Sequence, residues 1–482
     1  MRPSSLKLSA ADDADKAAPT LTERWGFAEV FMISQTALPA ILFLPGTQPL
    51  RLPIRVASYG ISLAALAWWY FQKQAKPENH PAFPWLKAAL GYTALMILHP
   101  TTNSYKSALA QVALYLSVLA PFFWAPAFVT SPERLRRVLW VLLACNGVNS
   151  MVGVMQVFDP ETFMPQEFSR VMTSGSFGLG TVTYKGIGGI DIIRPPGLFD
   201  TPGAVCGPGM FAGVLGLIFC LDSDRVWKRL VAFVFAFAGV SAIYFTLVRS
   251  SIIVLAGMII IYATLQQVQQ NKSKLFILIG LSAALGAGGF FLAAKFGGDA
   301  ITDRFSTLLE TKPAELYYNA RGNQVENGML ELLPEYPFGA GVGRWGMMNY
   351  YFGDPDNLEA PGLWAEIQFP GWILDGGIIL LLCYSMALIS TAKFEFRVAR
   401  EAENPQIRAL AATVLSANAG IVALCFSFVP FNAQAGLQYW FLSGGLQRVA
   451  KEDPAAASFG DSAGSAWRRR LKAKPRPKPN AN

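Results

Sequence analysis

Four arginines and one glutamate carry the groups from which a reaction could be built. Arg194 lies in Asp191-Ile192-Ile193-Arg194-Pro195-Pro196-Gly197-Leu198-Phe199, and Arg249 in Leu247-Val248-Arg249-Ser250-Ser251. Arg321 and Arg344 belong to a polar, glycine-punctuated stretch from Asn319 to Asp375, near whose end stands Trp364-Ala365-Glu366-Ile367-Gln368. A guanidinium grips a phosphate through a fixed two-pronged geometry, so gathered arginines neutralise an anionic leaving group. A carboxylate at a partly buried edge accepts the proton of an attacking hydroxyl. These types assign Arg194, Arg249, Arg321 and Arg344 to substrate binding, and Arg249, Arg321 and Glu366 to catalysis. Blander roles stand beside these. A single arginine can snorkel to lipid phosphate, and Glu366 can cap a short helix or pair with Arg344.

The rest of the chain must hold these groups in place. It has 482 residues, 52% of them hydrophobic and 15% charged, which is too apolar for an average soluble protein. The apolar residues come in blocks of about 20, the length of a membrane-crossing helix, without the alternation of a barrel strand. Candidate spans cover 25–44, 52–71, 85–99, 107–129, 136–158, 203–221, 228–247, 250–269, 275–295, 372–391, 407–428 and 434–449. The expected class is an all-α polytopic membrane protein of about twelve helices. Basic residues fall on alternate connections: Lys73 and Lys76; Arg134, Arg136 and Arg137; Arg225, Lys228 and Arg229; Lys272 and Lys274; Lys393, Arg397, Arg400 and Arg408. The opposite short connections hold only Arg51, Lys106 and Arg249, with Arg55 just inside a span. By the positive-inside rule both termini are cytoplasmic, and loops 159–202 and 296–371 face outward.

Residues 1–24 read as a cytoplasmic tail without a cleavable signal, and 25–449 as the membrane domain. Residues 450–482 read as a disordered cytoplasmic tail whose Arg468-Arg469-Arg470 run suits anionic lipid rather than nucleic acid. Cys145, Cys206, Cys220, Cys383 and Cys425 fall in or beside apolar blocks and read as free thiols. Within the large loop, helical spacing appears over 302–309 and 323–333, stopped by Pro334 and Pro337. Gly339, Gly341 and Gly343 read as a hinge or tight turn, and Asp375 as the N-cap of the following span. Asp354 and Asp356 read as a solvated turn ahead of a cation site. Trp345, Tyr350, Tyr351, Phe352 and Trp364 fit either sugar stacking or an interfacial belt.

Several of these motifs resemble the O-antigen polymerase and ligase family. Arg194-Pro195-Pro196-Gly197-Leu198-Phe199-Asp200-Thr201-Pro202 is similar to its "R-x-x-G-x-F-x-N-P" element, and Arg249-Ser250-Ser251 to its "S-R" turn. Arg321 followed by Pro337-Phe338-Gly339-Ala340-Gly341-Val342-Gly343 resembles "R … P-x-G-x-G", and Asp375-Gly376-Gly377-Ile378 resembles "E-x-G-ϕ-ϕ-G". The resemblance spans Arg194 to Leu382. It implies a GT-C-like inner-membrane glycosyltransferase with twelve helices and a large periplasmic loop containing short helices. Such an enzyme moves a glycan from an undecaprenyl-pyrophosphate-linked donor to a hydroxyl acceptor, with no cofactor and no metal, and can work beside a chain-length regulator.

Ligase-type members carry a histidine shortly before the last element. Here that place falls near Glu366, and the chain's histidines, His80 and His99, lie outside the large loop. The expectation is therefore a polysaccharide polymerase, with Arg194, Arg249 and Arg321 on the pyrophosphate. A ligase is the alternative within the class. Beyond it stand a transporter of an anionic solute, which calls for charged or broken helices near the midplane, and a non-catalytic assembly protein.

Overall fold

The structure, a computed structural model, describes residues 25–44, 46–72, 80–166, 168, 182–269, 271–310 and 312–457. The predicted N-terminal tail, most of the C-terminal tail, Lys73 and Lys76 lie outside the described residues. The chain is a membrane-type helical protein. A helix occupies every apolar block: α1 (Phe27–Ala40), α2 (Arg51–Phe71), α3 (Phe83–Leu95), α4 (Tyr105–Phe128), α5 (Pro132–Phe158) and α6 (Cys206–Asp222). There follow α7 (Val226–Phe245), α8 (Arg249–Val268), α9 (Lys272–Gly297), α10 (Asp299–Glu310), α11 (Gly346–Phe352), α12 (Gln368–Glu401), α13 (Pro405–Leu424) and α14 (Gln434–Ala450). Of these, α10 and α11 belong to the large loop. Among the described residues seven helices are long and apolar enough to cross a membrane: α4, α5, α7, α8, α9, α12 and α13.

Local chemistry sets the ends. Ser104, Ser131 and Asn404 cap α4, α5 and α13, each accepting a backbone N–H two or three residues on, and proline follows directly at Pro132 and Pro405. Where α6 crosses α7 the backbones nearly touch. A Cβ on Gly209 would meet the Gly239 carbonyl oxygen at 2.7 Å, and one on Gly216 the Ala232 oxygen at 2.6 Å. Small residues permit this approach, as in helix pairs packed within lipid.

Polar contacts sort the helix ends. At one end Glu29 of α1, wholly buried, meets Arg134 and Arg137 of α5 at 3.3 and 3.7 Å. There Asp222 of α6 meets Lys274 of α9 at 2.5 Å, accepts from the Tyr262 hydroxyl of α8, and offers its carbonyl to Arg136. Gln269, after α8, reaches the Ala399 carbonyl of α12. The helix ends that the basic residues group together are the ones these bonds join. At the opposite end Arg51 and Arg55 of α2 meet Asp200 at 3.0 and 2.5 Å. This pairing accounts for two of the basic residues that break the charge rule.

One feature departs from an all-α chain. Thr183–Lys185 (β1) pairs antiparallel with Asp191–Ile193 (β2), Tyr184 opposite Ile192. The large loop holds more helix than spacing alone predicts. The helix expected over 302–309 is α10, and the one expected over 323–333 lies inside a continuous helical run over 313–335. That run contains π turns at Tyr318–Gly322 and Gly328–Leu332.

Candidate functional site

The hairpin delivers Arg194. Its N–H donates to the Val182 carbonyl at 3.0 Å, continuing the strand pairing, and its own carbonyl accepts from Gly203. The segment beyond it is fastened to α5. Gln156 exchanges two 2.8 Å hydrogen bonds with the Gly197 backbone, and Asn149 accepts from Leu198 N–H. Arg249 opens α8 after a strained turn, in which Leu247 has φ of 59°, the left-handed region unfavourable for a side chain with a Cβ.

The loop helix α10 brings a third guanidinium. Ile301 and Phe305 are buried with Tyr184, Phe245 and Leu247, which docks α10 beside the turn. Beside these residues Arg304 Nε donates to the Leu247 carbonyl at 3.5 Å, and Thr307 Oγ1 accepts from Arg249 Nη1 at 2.6 Å. Arg304 lies within electrostatic reach of both Arg194 and Arg249. Burial, and then the Arg304 charge, push Arg194 below the usual guanidinium range, while nearby Tyr184 pulls the other way. Two buried polar atoms in this group, Arg194 Nε and the Tyr184 hydroxyl, have no hydrogen-bond partner. The two nearest acids in the chain are engaged elsewhere, Asp191 with Lys185 and Asp200 with α2. Among the described residues no carboxylate pairs with Arg194, Arg249 or Arg304. Three like charges without a counter-ion among the described residues, and with the Arg194 Nε donor unsatisfied, are chemically suited to an oxyanion.

Arg321 and Glu366 meet each other instead. They form an ion pair through Glu366 Oε2, which also accepts from Gln324 Nε2 at 3.1 Å. Both partners are partly exposed, at 40% and 21% of the side chain. Glu366 thus pairs with Arg321 rather than Arg344, and Ile367, not Glu366, is the N-cap of α12. Among the described residues no hydrogen bond or ion pair links Arg321–Glu366 to the arginine cluster. Both groups lie at the same end of the bundle, opposite Glu29.

Arg344 is turned inward and 4% exposed. Its Nη1 donates to the Ala340 carbonyl at 2.9 Å, and its Nε and Nη2 to Pro361 at 3.2 and 2.9 Å. The guanidinium expected at the substrate is therefore occupied in fixing loop backbone.

The glycine segment makes the tight turns expected of it, and they form an insert into α12 rather than a hinge. The helix α12 breaks at Gly376 and Gly377, the latter with φ of 56°. Residues 337–343 fill the break: Ile378 N–H donates to Pro337 at 2.9 Å, and Ala340 N–H to Leu374 at 2.7 Å. A Cβ on Gly343 would sit 2.6 Å from the Ser107 oxygen, and one on Gly377 2.1 Å from that of Pro337. Asp375 is correspondingly interior. Wholly buried, it accepts from Gly343 N–H at 3.0 Å, Gln111 Nε2 at 3.0 Å and the Tyr115 hydroxyl at 2.7 Å. It receives these three hydrogen bonds from two other segments, α4 and the glycine segment, and caps none of its own helix.

The same contacts draw in His99, which sequence position had set apart from the loop. Its Nδ1 lies 3.0 Å from Thr101 Oγ1, which donates to the Ala340 carbonyl at 2.7 Å. Burial and the Arg344 charge lower the proton affinity of His99. Asp354 and Asp356 form the turn expected of them, with Asp356 N–H donating to Asp354 Oδ1 at 3.0 Å. No cluster of metal-ligating side chains occurs among the described residues.

Arg304 and Tyr184 are the participants that motif reading missed. For Arg304 a signal exists, since it and Thr307 share one face of the expected 302–309 helix at i, i+3. For Tyr184 none does, because the hairpin lies in a loop without apolar alternation. No protein-family model matches the chain, and comparison with curated proteins finds no significant match.

Proposed function

We propose that the chain is a membrane glycosyltransferase that polymerises oligosaccharide repeat units carried on undecaprenyl pyrophosphate. In this reading all twelve apolar helices cross the bacterial inner membrane in a GT-C-like arrangement, with both termini cytoplasmic. The observation that carries it is the trio Arg194, Arg249 and Arg304, paired with no carboxylate among the described residues and holding an unsatisfied donor. A diphosphate is an oxyanion that such a trio would neutralise, and it leaves without needing a proton. Glu366 has Oε2 occupied by Arg321 and Gln324, which presents Oε1 to an acceptor hydroxyl.

The step is a single displacement. The acceptor oxygen bonds to the anomeric carbon as its proton passes to Glu366 Oε1. The anomeric carbon–oxygen bond breaks, and its electron pair leaves with the pyrophosphate held by the arginines. The anomeric centre inverts. The broken α12, a feature expected of a transporter, gives that alternative little support, because residues 337–343 fill the break and take up its hydrogen bonds. The test is synthesis from purified lipid-linked repeat units. Wild type is expected to give a polymer ladder, Glu366→Gln to give none while still binding donor, and Arg249→Lys to fail. A wild-type ladder from both variants overturns the proposal.

A further inference from the structure

The segment between Arg344 and Glu366 combines exposed aromatic rings with acid and contains no base. Tyr350 is 56% exposed and Trp364 67% exposed, and Tyr351 lies edge-on to Tyr350 at 5.1 Å. Between them come Asp354, Asp356 and Glu359, all exposed. From 345 to 366 there is no lysine or arginine. Trp345, by contrast, is 2% exposed and packs over Gly371, so the aromatic residues of this loop divide into a buried anchor and an outward set.

This surface is held rigidly. Asn103, in the turn between α3 and α4, donates to the Asp354 and Ala360 carbonyls at 3.0 and 2.7 Å and accepts from Asp354 N–H at 2.7 Å. Asn357 returns a bond to the Asn103 carbonyl. Arg344 grips Pro361, and Leu363 N–H donates to the Arg344 carbonyl at 2.6 Å, which seats the segment bearing Trp364 beside the start of α11. Backbone held in this way has little entropy left to lose when a ligand covers the rings it carries.

From this we infer that Tyr350, Tyr351 and Trp364, with Asp354, Asp356 and Glu359 around them, form a subsite for uncharged pyranose rings of the glycan that Glu366 serves. The inference rests on the reading above. Aromatic faces stack on the apolar C–H face of a sugar, and carboxylates accept from its hydroxyls. An anionic lipid surface is the other chemistry that takes tyrosine and tryptophan, and the acidic side chains repel it. The same repulsion excludes glycans rich in uronic acids. Trp364 precedes Glu366 by two residues, so a sugar stacked there is delivered beside the proposed base.

The test uses the full chain in lipid nanodiscs against a panel of neutral and acidic oligosaccharides. Wild type is expected to bind neutral members, and the double substitution Tyr350→Ala with Trp364→Ala to weaken that binding at least tenfold. Arg249→Ala, which disables the anion site, is expected to bind the panel as wild type does, so loss of polymerisation and loss of sugar binding are separable. Binding to no member of the panel, or binding unchanged in the double variant, overturns the inference. A second measurement addresses the lipid. If brominated phospholipid quenches a fluorescence component that disappears in Trp364→Phe, the ring lies in the bilayer interface and the sugar subsite is wrong.

Discussion

Arg249 donates to Thr307 at 2.6 Å and so ties the first residue of α8 to a helix of the large loop. The bond holds the guanidinium in place and fixes the loop helix over it. Thr307→Val removes the tether while leaving the apolar contacts of Ile301 and Phe305. The expected outcome is faster tryptic cleavage at Arg304 in the folded protein, with the melting temperature little changed. Unaltered cleavage would show that the apolar contacts alone hold α10.

Arg304 is the test of the cluster as an anion site. Arg304→Glu places a carboxylate against Arg194 and Arg249, where it would compete with the ligand. Binding of a lipid pyrophosphate, read by native mass spectrometry, is expected to fall at least tenfold. Polymerisation is expected to fall roughly 100-fold or more, the usual loss when one oxyanion-stabilising donor is removed. Binding at wild-type strength would remove Arg304 from the site.

Asp375 tests the lock between the glycine insert and α12. Asp375→Ala leaves the Gly343 N–H, Gln111 and Tyr115 without their acceptor, at a cost of roughly 1–3 kcal/mol for each buried group that stays unpaired. Asp375→Asn keeps an acceptor oxygen and is expected to melt between wild type and the alanine variant. Equal melting of all three proteins would show that the carboxylate does not hold the insert.

The histidines give a pH-dependent readout that needs no substrate. The chain has 2 of them. His80 is 2% exposed, with burial lowering its pKa to about 3, and His99 is partly exposed. Diethyl pyrocarbonate attacks neutral imidazole, so one equivalent is expected to react in the folded protein, and none in His99→Asn. Because burial and Arg344 lower the His99 pKa, the reactive form persists to lower pH than for a free histidine. The midpoint of the rate against pH is expected below 6.5 and to rise towards it in Arg344→Gln. A midpoint above 6.5 contradicts the geometry around Arg344.

Helix positions were legible because apolar blocks act locally. The helix starts were less legible: the spans expected from 136 and 407 begin at Pro132 and Pro405, because the apolar blocks leave out the capping pairs Ser131-Pro132 and Asn404-Pro405. The relative sidedness of the helices was legible because the same connections that carry the basic residues are joined through Glu29 and Asp222. What could not be read was which polar group meets which. The partners of Asp375 include Gln111 and Tyr115, more than 250 positions away. Arg344 and Arg249 are the same residue type, yet one faces inward to carbonyls and the other opens a helix beside the Arg304 guanidinium. Their difference is made by Pro361 and by α10, and neither contact leaves a local pattern.

The insertion of residues 337–343 into α12 also sets an order of assembly. The donors that satisfy Asp375 come from α4, made early, and from a loop that is synthesised just before α12. While α12 is newly made, its carboxylate and its interrupted backbone have no partners. They acquire them when α4 and the glycine segment close around it. That end of the bundle is thus completed only once α12 is made, and a chain cut short before Leu374 would hold Arg194, Arg249, Arg304, Arg321 and Arg344 yet lack the strut that fixes the large loop to the bundle.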